Sequence, residues 1–239
     1  MNKEEFDIEL IEKAKKINID ISKNQSELFF EYMNLLIEWN KKINLTAITE
    51  ANDIILKHFI DSISIIKYIK ETENVLDIGT GAGFPGIPLK ILLSNNEFVL
   101  LDSLNKRIAF LNNVIENLNL KNINAEHNRA EDFIKKEKQR NGYDVVVSRA
   151  VAKLNVLVEY MLPFTKIGGI CICMKSFEIK EELEEAKNAI EILGGELEKI
   201  DTINLPDSDI KRKIIIIKKI KDTPLKYPRK AGTPVKEPI

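Results

Sequence analysis

The spacing of apolar residues changes once along the chain, near residue 70. Before that point, in SELFFEYMNLLIEWNKKINL (26–45), Leu28, Tyr32, Leu35, Leu36 and Trp39 recur at three- and four-residue steps, with Glu31, Asn34, Glu38 and Lys41 between them. This is the pattern of a helix with one buried face. A second stretch, NDIILKHFIDSISIIKYI (52–69), carries Ile55, Phe59, Ile63 and Ile66 in the same way, with Asn52 or Asp53 as the expected N-cap. Residues 1–70 are expected to form an N-terminal helical cap.

From Glu73 onward, short β-rich runs alternate with longer amphipathic stretches. NVLDIG, EFVLLDS, INAEHN, YDVVVSRA and GGICICMKS read as strands, separated by helical stretches that include Pro88–Ser94, NKRIAFLNNVIENLNL and LNVLVEYMLPFT. Such alternation predicts a parallel sheet covered by helices on both faces, with right-handed crossovers. After the helix KEELEEAKNAIEIL come two strands, GGELEKIDTI and RKIIIIKKI, with only NLPDSDI between them. They predict a terminal hairpin and one antiparallel edge element. A mainly parallel sheet of about seven strands with this ending is the architecture of class I methyltransferases, an α/β, Rossmann-like fold. Residues 71–221 are the expected methyltransferase domain, and 222–239 a basic tail packed on it or extending from it.

The bulk composition narrows the setting. With 44% hydrophobic and 31% charged residues the chain reads as a soluble globular protein. No apolar run approaches the roughly 20 residues of a membrane span, and the beginning MNKEEFDIEL lacks the apolar stretch of a signal peptide, so a cytoplasmic location is expected. Cys171 and Cys173, two apart on a predicted strand, share one face and are poorly placed to bridge; with no His nearby they make no metal site. The net charge of −1 conceals an asymmetry, because residues 211–239 hold ten Lys/Arg against two acids, a charge of +8 that leaves −9 on residues 1–210. A basic end on an acidic body points to an anionic partner.

The chemistry is concentrated in NVLDIGTGAGFPGIPLKI (74–91), where two spellings overlap. Gly81 to Gly86 is a literal G-x-G-x-x-G, the dinucleotide fingerprint; Asp77-Ile78-Gly79-Thr80-Gly81-Ala82-Gly83 is a different one. Both explain the glycines, and they differ in Asp77. A carboxylate at the strand end repels a pyrophosphate but suits the ammonium and sulfonium of S-adenosylmethionine. Pro85 and Pro88 also favour a longer loop over a tight turn onto a helix. Asp102, ending the next strand in VLLDS, is the expected ribose ligand, which fits either cofactor. Ala130 and Glu131, after the third strand, are placed to touch an adenine ring.

The fourth strand ends at Ser148-Arg149-Ala150, the position facing a methyl donor. It has neither the Asn/Asp-Pro-Pro-aromatic stretch of many amine methyltransferases nor a nucleophilic Cys. Guanine N7 offers a lone pair without losing a proton, and can be methylated by positioning alone. Arg149 matches the O6 and N7 edge of guanine.

NLTAI (44–48), HFIDS (58–62), the glycine loop, LLDS, RAED, SRAVA and the terminal YPRKAGTPVKEPI together resemble the bacterial small-subunit (16S) ribosomal RNA guanine-N7 methyltransferase family, the RsmG or GidB proteins. The resemblance runs from the N-terminal helices to the last residue. It implies S-adenosylmethionine as donor, S-adenosylhomocysteine as product and no metal. It also implies that Gly79, Phe84, Asp102, Ser103, Leu104, Ala130, Glu131 and Arg149 contact the donor; Asp77, Gly81 and Gly83 complete the expected loop. His58 and Asp61 match a motif beside the cleft and join Arg149 as catalytic candidates, although an i, i+3 His–Asp pair is as readily a local hydrogen bond. Lys226, Arg229, Lys230 and Lys236, interrupted by prolines, are expected to lie as an extended strip against RNA of the small ribosomal subunit, with Tyr227 as the one stacking candidate. No membrane association and no obligatory protein partner are expected. The rival readings are a small-molecule methyltransferase, which needs no basic tail, and an RNA-binding assembly factor with a vestigial pocket; an NAD dehydrogenase is disfavoured by Asp77.

Overall fold

A computed structural model describes residues 1–149 and 151–239; Ala150, the last residue of the fourth-strand motif, lies outside the described residues. The cap begins with two helices, α1 (Lys3–Lys16) and α2 (Lys23–Ile43), each opened by a capping box in which Asn2 and Glu5, or Ser22 and Gln25, satisfy each other's backbone N–H groups. The apolar face of α2 buries Phe29, Tyr32, Met33 and Leu36. The second predicted helix is broken in four: α3 (Ala51–Ile54), a π turn (Ile55–Ile60), α4 (Asp61–Ile63) and a 3₁₀ turn (Ile66–Tyr68). It starts before the expected cap, with Glu50 at the N-cap position and no side-chain bond there; Asp53 instead pairs with Lys57 at 2.9 Å. The cap shares one hydrophobic cluster with Phe84, Ile87, Leu100 and Phe110 of the sheet layer.

The seven strands are β1 (Asn74–Ile78), β2 (Glu97–Asp102), β3 (Ile123–His127), β4 (Tyr143–Arg149), β5 (Thr165–Lys175), β6 (Gly195–Asn204) and β7 (Lys211–Lys219), in the spatial order β3-β2-β1-β4-β5-β7-β6. The helices between them are α5 (Gly86–Leu92), α6 (Asn105–Asn117), α7 (Ala130–Phe133), α8 (Leu154–Met161) and α9 (Lys180–Ile192). β1 is buried along nearly its whole length, as a strand covered on both faces must be. Along β5 the alternation divides the core: Cys171 and Cys173 join one cluster, Ile172 and Met174 the other. Both thiols are unbridged and buried, and burial pushes Cys171 up to about 12.

The hairpin is present, but the antiparallel strand is not the edge. β7 runs antiparallel to β5 on one side and β6 on the other, and the largely exposed edge strand β6 carries Glu196, Glu198, Lys199 and Asp201. Because β7 is reversed, its first residues arrive at the carboxyl ends of the parallel strands, where Lys213 pairs with Lys175. The basic stretch from Lys211 therefore divides: Lys211, Arg212 and Lys213 reach the site end of the sheet, while Lys219 is fully buried and donates to the carbonyls of Leu162 (2.8 Å) and Leu193 (3.2 Å) after α8 and α9. Burial lowers the Lys219 ammonium to about 8. Its partners are helix-end carbonyls, where positive charge is favoured.

Of the two arrangements expected of the tail, the packed one is present, but not as an extended strip: the tail folds back on α8, buries Tyr227 and Pro234, and ends in a short helix, α10 (Thr233–Lys236).

Candidate active site

The loop from Gly79 to Pro85 closes over the carboxyl end of β1 and is anchored to β2 by Gly79 N, which donates to Leu101 O at 2.9 Å. Gly79, Gly81 and Gly83 all take positive φ, the region glycine enters without a Cβ clash. At Gly81 a Cβ would meet no atom nearer than Gly79 O at 4.0 Å, so the backbone there leaves an open cradle. At Gly83 a Cβ would collide with Ile87 and with the Tyr32 hydroxyl, 2.7 Å away. Gly83 therefore faces the cap rather than the cleft, which corrects its expected role.

Asp77 also differs from expectation. It does not look into the cleft: it is fully buried behind the loop, where its Oδ2 accepts from Thr80 Oγ1 (2.7 Å) and Gly86 N (2.9 Å). Burial pushes this carboxyl up to about 7 against the lowering pull of those bonds and of Arg149. Asp77 still speaks against a pyrophosphate, by another route. The first N–H of α5, which a dinucleotide fold points at phosphate, is already taken by a side chain.

Asp102, at the end of β2, is nearly buried and highly connected. Its Oδ1 accepts from Leu104 N at 2.9 Å, and its Oδ2 from Gly81 N (3.0 Å) and Arg107 Nη1 (3.0 Å). A carboxylate oxygen carries two acceptor positions, so Oδ1 keeps one for a further donor such as a ribose hydroxyl. Ser103 lines the cleft; Leu104 does not, its backbone holding Asp102 while its side chain is 42% exposed at the start of α6. Ala130 and Glu131 open α7 and line the same cleft. The cleft encloses about 1580 Å³ and runs from this end past Gly79, Gly81 and Phe84 to Arg149, His58 and Asp61. An open glycine cradle, a ribose acceptor and a helix start plugged by Asp77 fit S-adenosylmethionine.

Arg149 ends β4 in a polar cluster of the cleft wall. Its Nη1 donates to Lys57 O (2.9 Å) and Asp61 Oδ2 (3.1 Å), and its Nη2 to His58 Nδ1 (3.1 Å). The π turn supplies both Lys57 O and the His58 ring, a common use of such widened turns. Since a guanidinium only donates, His58 Nδ1 is the acceptor and Nε2 carries the proton, donated to Thr46 Oγ1 at 2.9 Å. Burial, then the Arg149 charge, lowers His58 to about 3. His58 and Asp61 are not bonded to each other; Arg149 bridges them. Phe84 is stacked on His58, with centroids 4.3 Å apart and rings 12° from parallel, and the Arg149 guanidinium lies 5.0 Å from its ring centre. Asp61, 1% exposed, is held on its other side by Arg212 Nε at 3.2 Å.

Sequence reasoning missed Arg212 and Thr46, and misplaced Arg229. The Arg229 guanidinium is bound to Glu159 of α8, a carboxylate with no exposure, through Nε (3.0 Å) and Nη2 (2.6 Å), so it is a structural ion pair rather than a phosphate ligand. Lys226, Lys230 and Lys236 are exposed. Tyr227 is buried and cannot stack on a base; the aromatic exposed beside the cleft is Phe177, with Lys213 Nζ and Lys211 Nζ 4.8 and 5.6 Å from its ring centre. Its signal was an aromatic just after a strand ending at the site, in CMKSFE.

The model of one family, GidB, described as rRNA small subunit methyltransferase G, matches residues 25–214. A ribosomal RNA small subunit methyltransferase G of Desulforamulus reducens is 54% identical over 234 residues, 97% of this chain and 98% of that protein. One of the same name from Clostridium tetani is 52% identical over 225 residues, 93% and 94% of the two chains. Among solved structures, TYW2 of M. jannaschii in complex with AdoMet superposes with a TM-score of 0.53 at 17% identity, covering 66% of this chain and 74% of that one. A SAM-dependent methyltransferase from Aquifex aeolicus gives 0.52 at 19%, covering 69% and 92%. Such distant likenesses establish the class I methyltransferase fold; the family model and the relatives establish that this chain belongs to the rRNA small subunit methyltransferase G (GidB) family.

Proposed function

We propose that this protein methylates N7 of a guanine in 16S rRNA of the small ribosomal subunit, with S-adenosylmethionine as donor. The observation that carries the reading is Arg149, fixed at the end of β4 by Lys57 O, Asp61 and His58 and stacked on Phe84. Those bonds use three of its five N–H donors and leave two. When bound, the donor supplies a sulfonium methyl that N7 can take by in-line displacement, with no proton to remove. Nothing in the cluster is set up as a base: the His58 lone pair is occupied by Arg149, and its low pKa keeps the ring neutral. The remaining Arg149 donors suit guanine O6. A bond to N7 itself would block the attacking lone pair, so Arg149 orients the base through O6 while the buried Asp61 tempers the positive charge that develops on the methylated ring.

Asp102, Gly79 and Gly81 would hold the donor's ribose and tail, with Ala130 and Glu131 beside its adenine. His58 and Asp61 touch Arg149 and position it. Phe177 with Lys211 and Lys213, next in the chain to the cleft-lining Ser176, Glu178 and Arg212, offers an exposed ring and two ammonium groups, the pairing that single-stranded nucleic acid favours. The exposed Lys226, Lys230 and Lys236 supply phosphate contacts further along. Incubation with labelled donor and unmodified small subunits, followed by strand scission at N7-methylguanine, tests the reading. Label at one guanine N7 is expected; label on another atom, on a small molecule or on protein would overturn it.

A further inference from the structure

The tail motif YPRKAGTPVKEP folds back across α8 and ends in the wall of the cleft. Arg229 meets Glu159 through three groups, its backbone N (2.8 Å), Nε (3.0 Å) and Nη2 (2.6 Å), and Arg140 Nη2 donates to Tyr227 O at 2.5 Å. Removing a carboxylate from water so completely is costly, and its main return is a fixed register for whatever the pair holds. Here the pair fixes the approach of the next residues. Gly232 N donates to Glu131 Oε1 at 3.3 Å, and Gly232 and Val235 line the cleft together with Ala130 and Glu131. Val235 is 62% exposed, an apolar side chain without cover at the rim of a cavity. Glu131 keeps acceptor positions that Gly232 does not fill.

An apolar pair, Ala130 and Val235, with an oriented carboxylate between α7 and the tail suits a purine: a flat ring needing cover and an exocyclic amine needing an acceptor. We infer that residues 228–236 form the adenine-side wall of the donor pocket, with Arg229 as a positioning residue acting through Gly232 on Glu131. Donor binding and tail docking then stabilise each other. The inference rests on the reading of this cleft as the donor pocket, and it takes Arg229 out of the set of RNA contacts.

Isothermal titration of S-adenosylhomocysteine into the full-length protein, with circular dichroism as the check on folding, tests the inference. The wild type should bind, and Val235→Glu and Arg229→Met should each lose about tenfold or more in affinity. Saturating S-adenosylhomocysteine should also slow hydrogen exchange at the amides of Arg229, Gly232, Lys236 and Glu237, whose bonds depend on the docked tail. Unchanged affinity in folded variants, or exchange in 229–237 indifferent to ligand, would overturn the proposal. So would an Arg229→Met protein that binds S-adenosylhomocysteine normally but rRNA weakly. Should Arg229→Met not fold, the exposed Val235→Glu and the exchange measurement decide. A wild type that fails to bind S-adenosylhomocysteine would instead remove the donor-pocket reading itself.

Discussion

The two ends of the cleft are built from the same parts, a buried carboxylate and arginine, to different ends. On the cap side Asp61 is shared by Arg149 and Arg212, and both arginines line the cleft. On the tail side Glu159 takes one arginine through backbone and side chain together, and Arg229 becomes part of the frame. The difference lies in place rather than in saturation: Arg149 and Arg212 line the cleft, and Arg229 stands behind its wall.

Asp61→Ala and Glu159→Ala test that difference most severely. Each removes a buried carboxylate and leaves partly exposed arginine charge without its partner, and should lower unfolding free energy in urea by about 1–3 kcal/mol. They should part in the methyl-transfer assay: Asp61→Ala loses turnover, whereas Glu159→Ala retains it at saturating donor with a raised donor KM. Next in size, Arg149→Lys keeps the charge but not the planar fork that meets Lys57 O, Asp61 and His58 at once. Its kcat should fall about a hundredfold, with S-adenosylhomocysteine affinity changed far less. Phe177→Ala should raise KM for small subunits about tenfold, the scale of one lost base-stacking contact, and leave kcat alone.

A smaller effect separates Asp77 from both walls, because among the described residues it has hydrogen bonds but no cation in contact. With the folded pKa raised to about 7, the neutral carboxyl stabilises the fold below the unfolded value near 4, and that contribution is lost as pH rises through 7. The stability of Asp77→Asn relative to wild type should therefore climb between pH 4 and 7. His58 runs the other way in both proteins: its lowered pKa costs stability as pH falls from 6.5 toward 3, and it cancels in the difference. The smallest expected change is Lys230→Gln, which should flatten the salt dependence of rRNA binding by about one unit of slope.

Residues that end strands were legible in the sequence. Asp102 and Arg149 stand where an α/β sheet presents its ligands, and the period of the apolar residues located those strand ends. Partnerships over long separations were not. Nothing near residue 61 announces Arg212, and nothing near residue 159 announces Arg229, yet these contacts decide which arginines are available. Counting charge in the tail could not tell a paired arginine from an exposed lysine, and it included Lys219 in the basic total although that ammonium is sealed between helix ends. Asp77 led to a sound exclusion by an incomplete argument: it does not face the cleft as a repulsive charge, and works by occupying a helix start.

The Asp61–Arg212 contact joins positions 151 apart, and Arg212 sits on the strand inserted next to last in the sheet. During synthesis the glycine loop, β1 to β4 and Arg149 all leave the ribosome well before that strand. A nascent chain can thus form the Asp61–Arg149 bond while Asp61 still lacks its second arginine, and only the arrival of β7 completes the clamp. The order of the chain ties the completed Asp61 clamp to the completed sheet.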